Sequence, residues 1–238
     1  VTILENTKQE IPMKIYASRV KDIEEKEYED IFSMLDSSRR DKIHRMKNKA
    51  ERNRSIMAGL LLRYAFLGEG YITQDWQKVQ IEQEKYGKPI LKGYDGLHYS
   101  LSHSGDWVLC GMDSEPIGVD IQQMRPYRME LAARFYHENE YQRLCAITDE
   151  EDRCSQFYQM WAAKESYAKL TGRGIGGGID RYVTEENYGR ITDRETLVSA
   201  FMKIYHTISN HIVSVSSYQD EFTQQIMMIT DNELRNME

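Results

Sequence analysis

Apolar and polar positions alternate from the first ordered pattern of the chain. Ile11, Met13 and Ile15 fall on one face of an extended segment, which predicts a strand over 11–17. Asp36, Ser37 and Ser38 supply capping side chains ahead of a helical stretch, where Ser38 with Asp41 resembles a capping box. Met57, Leu60, Leu61 and Tyr64 then recur at helical spacing as a core-facing stripe. Period-two alternation returns in the middle of the chain. It runs through Val79, Ile81 and Gln83, through Leu97, Tyr99 and Leu101, over 107–112, and over 117–121 after Pro116. The turns Tyr86-Gly87-Lys88-Pro89 and His103-Ser104-Gly105-Asp106 separate these strands. Helices are expected over 129–144 and 155–170, the second stopping at Gly172, and strands again around Tyr182, 211–218 and 225–230.

Each half therefore offers strands and a long helix in similar proportion. The expectation is an α+β fold of two similar, pseudo-symmetric lobes, each a small sheet packed with a long helix, divided at 1–114 and 115–238. Hydrophobic residues at 40% and charged residues at 29% fit a globular chain rather than a disordered one. No apolar run approaches the roughly 20 residues of a membrane-spanning helix, and no charged-then-apolar leader opens the sequence. Three cysteines without CxxC spacing point to neither a disulfide framework nor a zinc site, so a reducing, cytoplasmic setting is expected. A net charge of −7 argues against nucleic-acid binding. That charge is uneven, because 39–54 holds eight basic and two acidic residues. Such a stretch is either a solvated helix face or a landing site for a small polyphosphate.

Four segments could carry chemistry. In 117–122, Ile117, Val119 and Ile121 alternate with Gly118, Asp120 and Gln122, so a carboxylate and an amide share a face. They are either oxygen ligands for Mg²⁺, with glycine keeping the approach clear, or an ordinary solvated strand face. Trp161, Glu165 and Lys169 stack along one helix face, as an exposed Glu–Lys pair beside a core anchor or as groups acting on one phosphate. Ser102, His103 and Ser104 at a strand end make a plausible phosphate seat, with no third member for a Ser-His-Asp triad. The glycine run 172–178 follows a helix instead of joining a strand to one, so it reads as a flexible helix exit and not a dinucleotide loop.

The order and spacing of these segments resemble the signatures of the Sfp-type 4′-phosphopantetheinyl transferases. The matching residues are Gly87-Lys88-Pro89, Leu101-Ser102-His103-Ser104, Gly118-Val119-Asp120-Ile121, and Trp161 with Lys164-Glu165-Ser166 and Lys169, supported by Phe135-Tyr136 with Glu140. The resemblance implies two α+β lobes with coenzyme A bound between them. It implies Asp120 and Glu165 as Mg²⁺ ligands, with Gln122 in the third ligand position. Lys88, Ser102 and His103 resemble the family's contacts to coenzyme A phosphates, and Arg39, Lys42 and Arg54 fall where cations meet the nucleotide phosphates. Gln122 departs from the family's usual glutamate, and an uncharged ligand is expected to bind the metal more weakly.

The reaction so implied is attack by a serine of an acyl or peptidyl carrier protein on the β-phosphate of coenzyme A, releasing 3′,5′-ADP. Glu165 would serve as base, Lys169 would stabilise the phosphate being transferred, and His103 would hold it in line. The carrier would dock on basic or apolar surface around the segment after Lys169, and a monomer would complete the site. Two other readings stay open at this level: a non-catalytic scaffold that binds coenzyme A or a carrier protein, which Gln122 favours, and a Mg²⁺-dependent nucleotide hydrolase.

Overall fold

A computed structural model describes residues 11–72, 75–174 and 178–236. In chain order the elements are β1 (Lys14–Arg19), α1 (Tyr28–Ser33), α2 (Ser37–His44), α3 (Lys49–Arg63), β2 (Ile81–Gln83), β3 (Pro89–Leu91), β4 (His98–Ser104) and β5 (Trp107–Asp113). They continue with β6 (Ile117–Gln123), α4 (Met129–Phe135), α5 (Glu138–Ala146), α6 (Glu150–Thr171), β7 (Tyr182–Thr184), β8 (Arg190–Asp193), β9 (Ser199–Tyr205) and β10 (His211–Ser217). The chain closes on β11 (Met227–Met228) and α7 (Asp231–Arg235). The architecture is α+β, with one sheet ordered β11-β1-β5-β4 and a second ordered β6-β10-β9-β8-β7. The second sheet is antiparallel throughout. In the first, the pairing of β11 with β1 is parallel, so the end of the chain returns to the sheet built by its beginning.

Each sheet covers one long helix. Ile56, Met57, Leu60 and Leu61 of α3 pack against Tyr16, Tyr99, Val108 and Cys110. Ala163, Tyr167 and Leu170 of α6 pack against Tyr182, Ile191 and Met202. A third core joins the sheets, where Ile15, Ala17 and Leu109 meet Ile117, Val119, Ile121, Val213 and Val215. Burial of each such aliphatic side chain contributes about 1.5–3 kcal/mol, enough for this contact to hold the lobes together.

The edge of β6 that β10 leaves unpaired is closed by side chains. Ser100, Ser102 and Ser104, at alternate positions of β4, accept the amides of Val119, Ile121 and Gln123 at 3.0, 3.3 and 2.9 Å. This hydroxyl ladder fixes the register between β4 and β6, so Asp120 meets the same neighbours every time the chain folds. Gly118 is required for a different reason. A Cβ there would lie 2.0 Å from the Ser166 carbonyl oxygen and 2.5 Å from the Leu170 nitrogen, so only glycine lets α6 lie against β6. The space it clears is for the helix, not for a ligand.

Several expectations shift. The helix expected over 129–144 is two helices, broken at Tyr136 and His137, because His137 caps α5 and Glu140 accepts its amide at 3.0 Å. Helix α6 begins at Glu150, five residues earlier than the apolar stripe suggests, because Asp149 caps it by accepting the Asp152 amide. It ends as expected, with Gly172 at φ +70°. Ser38 and Asp41 form no capping box; Asp36 is the cap of α2, and Ser38 donates to it. Strands β8 and β9 carry no clean alternation and are absent from the sequence reading. Part of the glycine run, 175–177, lies outside the described residues. No helix among the described residues is long and apolar enough to cross a membrane.

Candidate active site

Asp120 sits at the centre of β6 and is 1% exposed, which corrects the idea of a solvated strand face. The face carrying Gly118 and Asp120 lies against α6, and β4 closes the edge beside it. Three donors hold the carboxylate. Oδ1 accepts the Ser102 hydroxyl and the Lys169 ammonium, both at 2.7 Å, and Oδ2 accepts Nε2 of Gln122 at 2.8 Å. Lys169 also donates to the Val119 carbonyl at 3.1 Å. The lysine expected to pair along its own helix with Glu165 pairs across the seam with Asp120 instead.

Glu165 stands on α6 one turn before Lys169, and its Oε1 accepts the Trp161 indole N–H at 2.6 Å. Trp161 is wedged among Phe135, Tyr136 and Phe157, with ring centroids 5.8–6.4 Å away, so it holds the carboxylate in one orientation. Burial, and then the negative charge of Asp120, pushes the Glu165 carboxyl up to about 7. Two carboxylates share a space that one lysine only partly neutralises.

That shift has a consequence for stability. A carboxyl raised in the fold binds its proton more tightly than in the unfolded chain. Stability of the metal-free protein therefore falls as pH rises from the usual carboxyl value to about 7, and the cost is complete above it. Glu165→Gln keeps an acceptor for Trp161 and removes the charge. We expect the variant to be more stable than the parent by about 1–3 kcal/mol at pH 8, and indistinguishable near pH 5. Denaturant melts in chelator at the two pH values check this; an equal difference at both would contradict it.

The cations expected for phosphates converge on the same seam. His103 follows Ser102 on β4. Its partly desolvated position, and then the charges of Arg54, Lys169 and Lys42, hold its imidazole below the usual range. Burial and neighbouring Arg39 likewise lower Lys42. Arg39 is anchored at Asp36 by an ion pair of 3.7 Å and at the Ser55 carbonyl. Arg54, Lys169 and Lys42 are thus close enough for their charges to be felt at His103, and Arg39 close enough to be felt at Lys42. Lys88 borders a cavity that Lys169 also lines. It donates to the Leu170 carbonyl at 2.9 Å, and burial lowers its pKa. Between Lys88 and Lys169 opens a cavity of about 240 Å³, lined also by Tyr86, Pro89, Tyr99 and Gly172.

The structure gives Ser102 and Ser104 an extra duty, since both hydroxyls are occupied in bridging β4 to β6. It also pairs two residues that the motifs name without a role. Lys164 and Glu140 form an ion pair at 2.7 Å with both side chains fully buried. Nothing in the spacing of 24 positions signals that pair. Gln122 presents its amide nitrogen, not its oxygen, to Asp120.

Comparison with known proteins fits this geometry. The profile of the 4′-phosphopantetheinyl transferase superfamily matches residues 116–217, and that of the 4′-phosphopantetheinyl transferase N-terminal region matches 22–115. The chain is 28% identical to the 4′-phosphopantetheinyl transferase Sfp of Bacillus subtilis (strain 168), over 93% of this chain and 100% of that protein. It is 30% identical to the 4′-phosphopantetheinyl transferase ffp of Bacillus subtilis, over 92% and 98%. The protein HetI of Nostoc sp. (strain PCC 7120 / SAG 25.82 / UTEX 2576), also a 4′-phosphopantetheinyl transferase, is 36% identical over 52% of this chain and 54% of its own length. The chain belongs to the 4′-phosphopantetheinyl transferase family. It is an enzyme that transfers the 4′-phosphopantetheine group of coenzyme A to carrier proteins, and no finding supports the scaffold alternative.

Proposed function

We propose that transfer takes place at the Asp120–Glu165–Lys169 cluster, that it depends on Mg²⁺, and that the acceptor is a serine hydroxyl of an acyl or peptidyl carrier. The observation that carries this reading is the meeting of Asp120 from β6 and Glu165 from α6 beside Lys169, whose charge, with those of Lys42 and Arg54, is felt at His103. In this reading most of the phosphate-binding cations come from before residue 115 and both carboxylates from after it.

The donor set fits the metal. Two carboxylates and an amide oxygen are hard ligands too few to enclose an ion, and Mg²⁺ favours such sites, completing its shell with water and substrate phosphate. Among the described residues no group of three or more His, Cys, Asp or Glu side chains could hold a metal ion by itself. Asp120 and Glu165 would hold the ion, joined by the Gln122 oxygen once its amide turns over, and the ion would neutralise charge as the pyrophosphate bond breaks.

The chain's own groups do the rest. Arg39, Lys42, Arg54 and Lys88 bind the nucleotide phosphates, and the cavity between Lys88 and Lys169 accepts a phosphate-bearing part of coenzyme A. His103 aligns the pyrophosphate, with a neutral ring donating one hydrogen bond. Ser102 fixes Asp120. Glu165 takes the serine proton, directly or through water, from its place on α6 one turn before Lys169. Lys169 stabilises the phosphate in transit and the leaving 3′,5′-ADP.

Gln122 is where metal dependence should be tunable. Gln122→Glu supplies a third formal charge, so half-maximal transfer is expected at a Mg²⁺ concentration lower by about tenfold, roughly 1.4 kcal/mol of metal binding. A Mg²⁺ titration of carrier modification for both proteins tests the assignment; coincident curves would remove Gln122 from the metal site.

A further inference from the structure

Asp120 is already held by three donors. Its two oxygens accept Ser102, Lys169 and Gln122 at 2.7–2.8 Å, and one of these donors is itself a cation. A metal ion approaching this carboxylate has to compete with an ammonium already bonded to it. Ser102 is fixed, being tied into the β4–β6 ladder through the Ile121 amide. Gln122 turns its N–H, the wrong end for a ligand, toward the carboxylate. Lys169 is the mobile one, with a side chain 30% exposed on a four-carbon stem. It borders the cavity that also carries Lys88. A phosphate entering that region offers Lys169 a new acceptor.

We propose that Lys169 acts as an internal stand-in for the divalent cation, so that coenzyme A opens the metal site by drawing the ammonium away from Asp120. The inference rests on the metal assignment above and adds an order to it. The free enzyme binds the ion weakly, and coenzyme A and metal strengthen each other's binding by the same factor. The lock keeps the Asp120 carboxylate from attracting a metal in the absence of donor substrate, and it keeps Lys169 positioned at the seam until phosphate arrives.

The test is direct Mn²⁺ binding, read by the electron paramagnetic resonance of the free ion, on the full chain with and without coenzyme A and with no carrier present. Lys169→Met should bind Mn²⁺ about tenfold or more tighter than the parent when coenzyme A is absent. The factor by which coenzyme A then tightens Mn²⁺ binding should be correspondingly smaller in the variant. Lys88→Met removes a cation from the same cavity that donates to carbonyl oxygens and not to Asp120. It should leave Mn²⁺ affinity within about threefold of the parent. Lys169→Gln serves as a second variant should the methionine fail to fold. Equal Mn²⁺ affinity in the parent and both Lys169 variants would overturn the lock, as would an equal gain in Lys88→Met. Absence of Mn²⁺ binding in every protein, even with coenzyme A, would instead overturn the metal assignment beneath it.

Discussion

Lys164→Met is expected to destabilise the fold by about 3–5 kcal/mol, the largest single effect on stability in the second lobe. Lys164 and Glu140 are both 0% exposed in their side chains, and the ammonium–carboxylate distance is 2.7 Å. Each partner is also saturated by other groups. Lys164 donates to the carbonyls of Ile179 and Tyr182 and lies 5.3 Å from the Tyr136 ring. Glu140 accepts the Thr184 amide and hydroxyl at 2.9 and 2.8 Å, and the His137 amide at 3.0 Å. One ion pair thus ties α5, α6 and β7 together beneath the site. Methionine fills the space of the lysine stem but strands a carboxylate in the interior, where an unpaired charge costs far more than the pair contributes. The double variant Lys164→Met, Glu140→Gln removes both charges and should recover at least half of the loss. Urea melts of the three proteins measure this. A single variant within about 1 kcal/mol of the parent would mean the pair carries little of the lobe's integrity.

The second large effect concerns chemistry. Asp120→Asn keeps the shape of the side chain and an acceptor for Ser102, yet removes the charge that holds Lys169 and would hold the metal. Losing one preorganised electrostatic partner in a site of this kind typically costs on the order of 10²–10³ in rate. Transfer should fall by at least that much. Stability should change little or improve, because Glu165 is relieved of a neighbouring negative charge. A loss of turnover with an unchanged melting transition separates a role in the reaction from a role in folding.

How far the sequence reveals this protein depends on the range of the interaction concerned. Strand alternation separates Asp120 from Ile117, Val119 and Ile121 correctly, because side-chain direction in a strand is a local property. It says nothing about what covers the other face, so the burial of Asp120 under α6 is visible only in the fold. Helical phase puts Trp161, Glu165 and Lys169 in line, and the Trp161–Glu165 hydrogen bond realises that phase. Phase alone suggests a Glu165–Lys169 pair, whereas Asp120, 49 positions away, is the stronger partner. Lys164 next to Glu165 shows the same limit. One residue's rotation along α6 sends it to Glu140 and away from the site, so two adjacent charged residues of one motif serve different ends. The break between α4 and α5 escapes periodicity because it is made by a capping histidine and a carboxylate satisfied from three directions. The basic run 39–54 is ambiguous by itself. It acquires a direction only when α2 and α3 bring Lys42 and Arg54 within reach of His103.

The central claim is that the Asp120–Glu165–Lys169 cluster transfers phosphopantetheine from coenzyme A to a carrier serine. Its most direct test is the intact mass of an apo carrier protein incubated with coenzyme A, Mg²⁺ and either the parent enzyme or Asp120→Asn. The parent is expected to add one phosphopantetheine to the serine, with loss of the gain in excess chelator, and Asp120→Asn at equal concentration to be slower by at least about 10²-fold. Modification by Asp120→Asn at the parent's rate would contradict it.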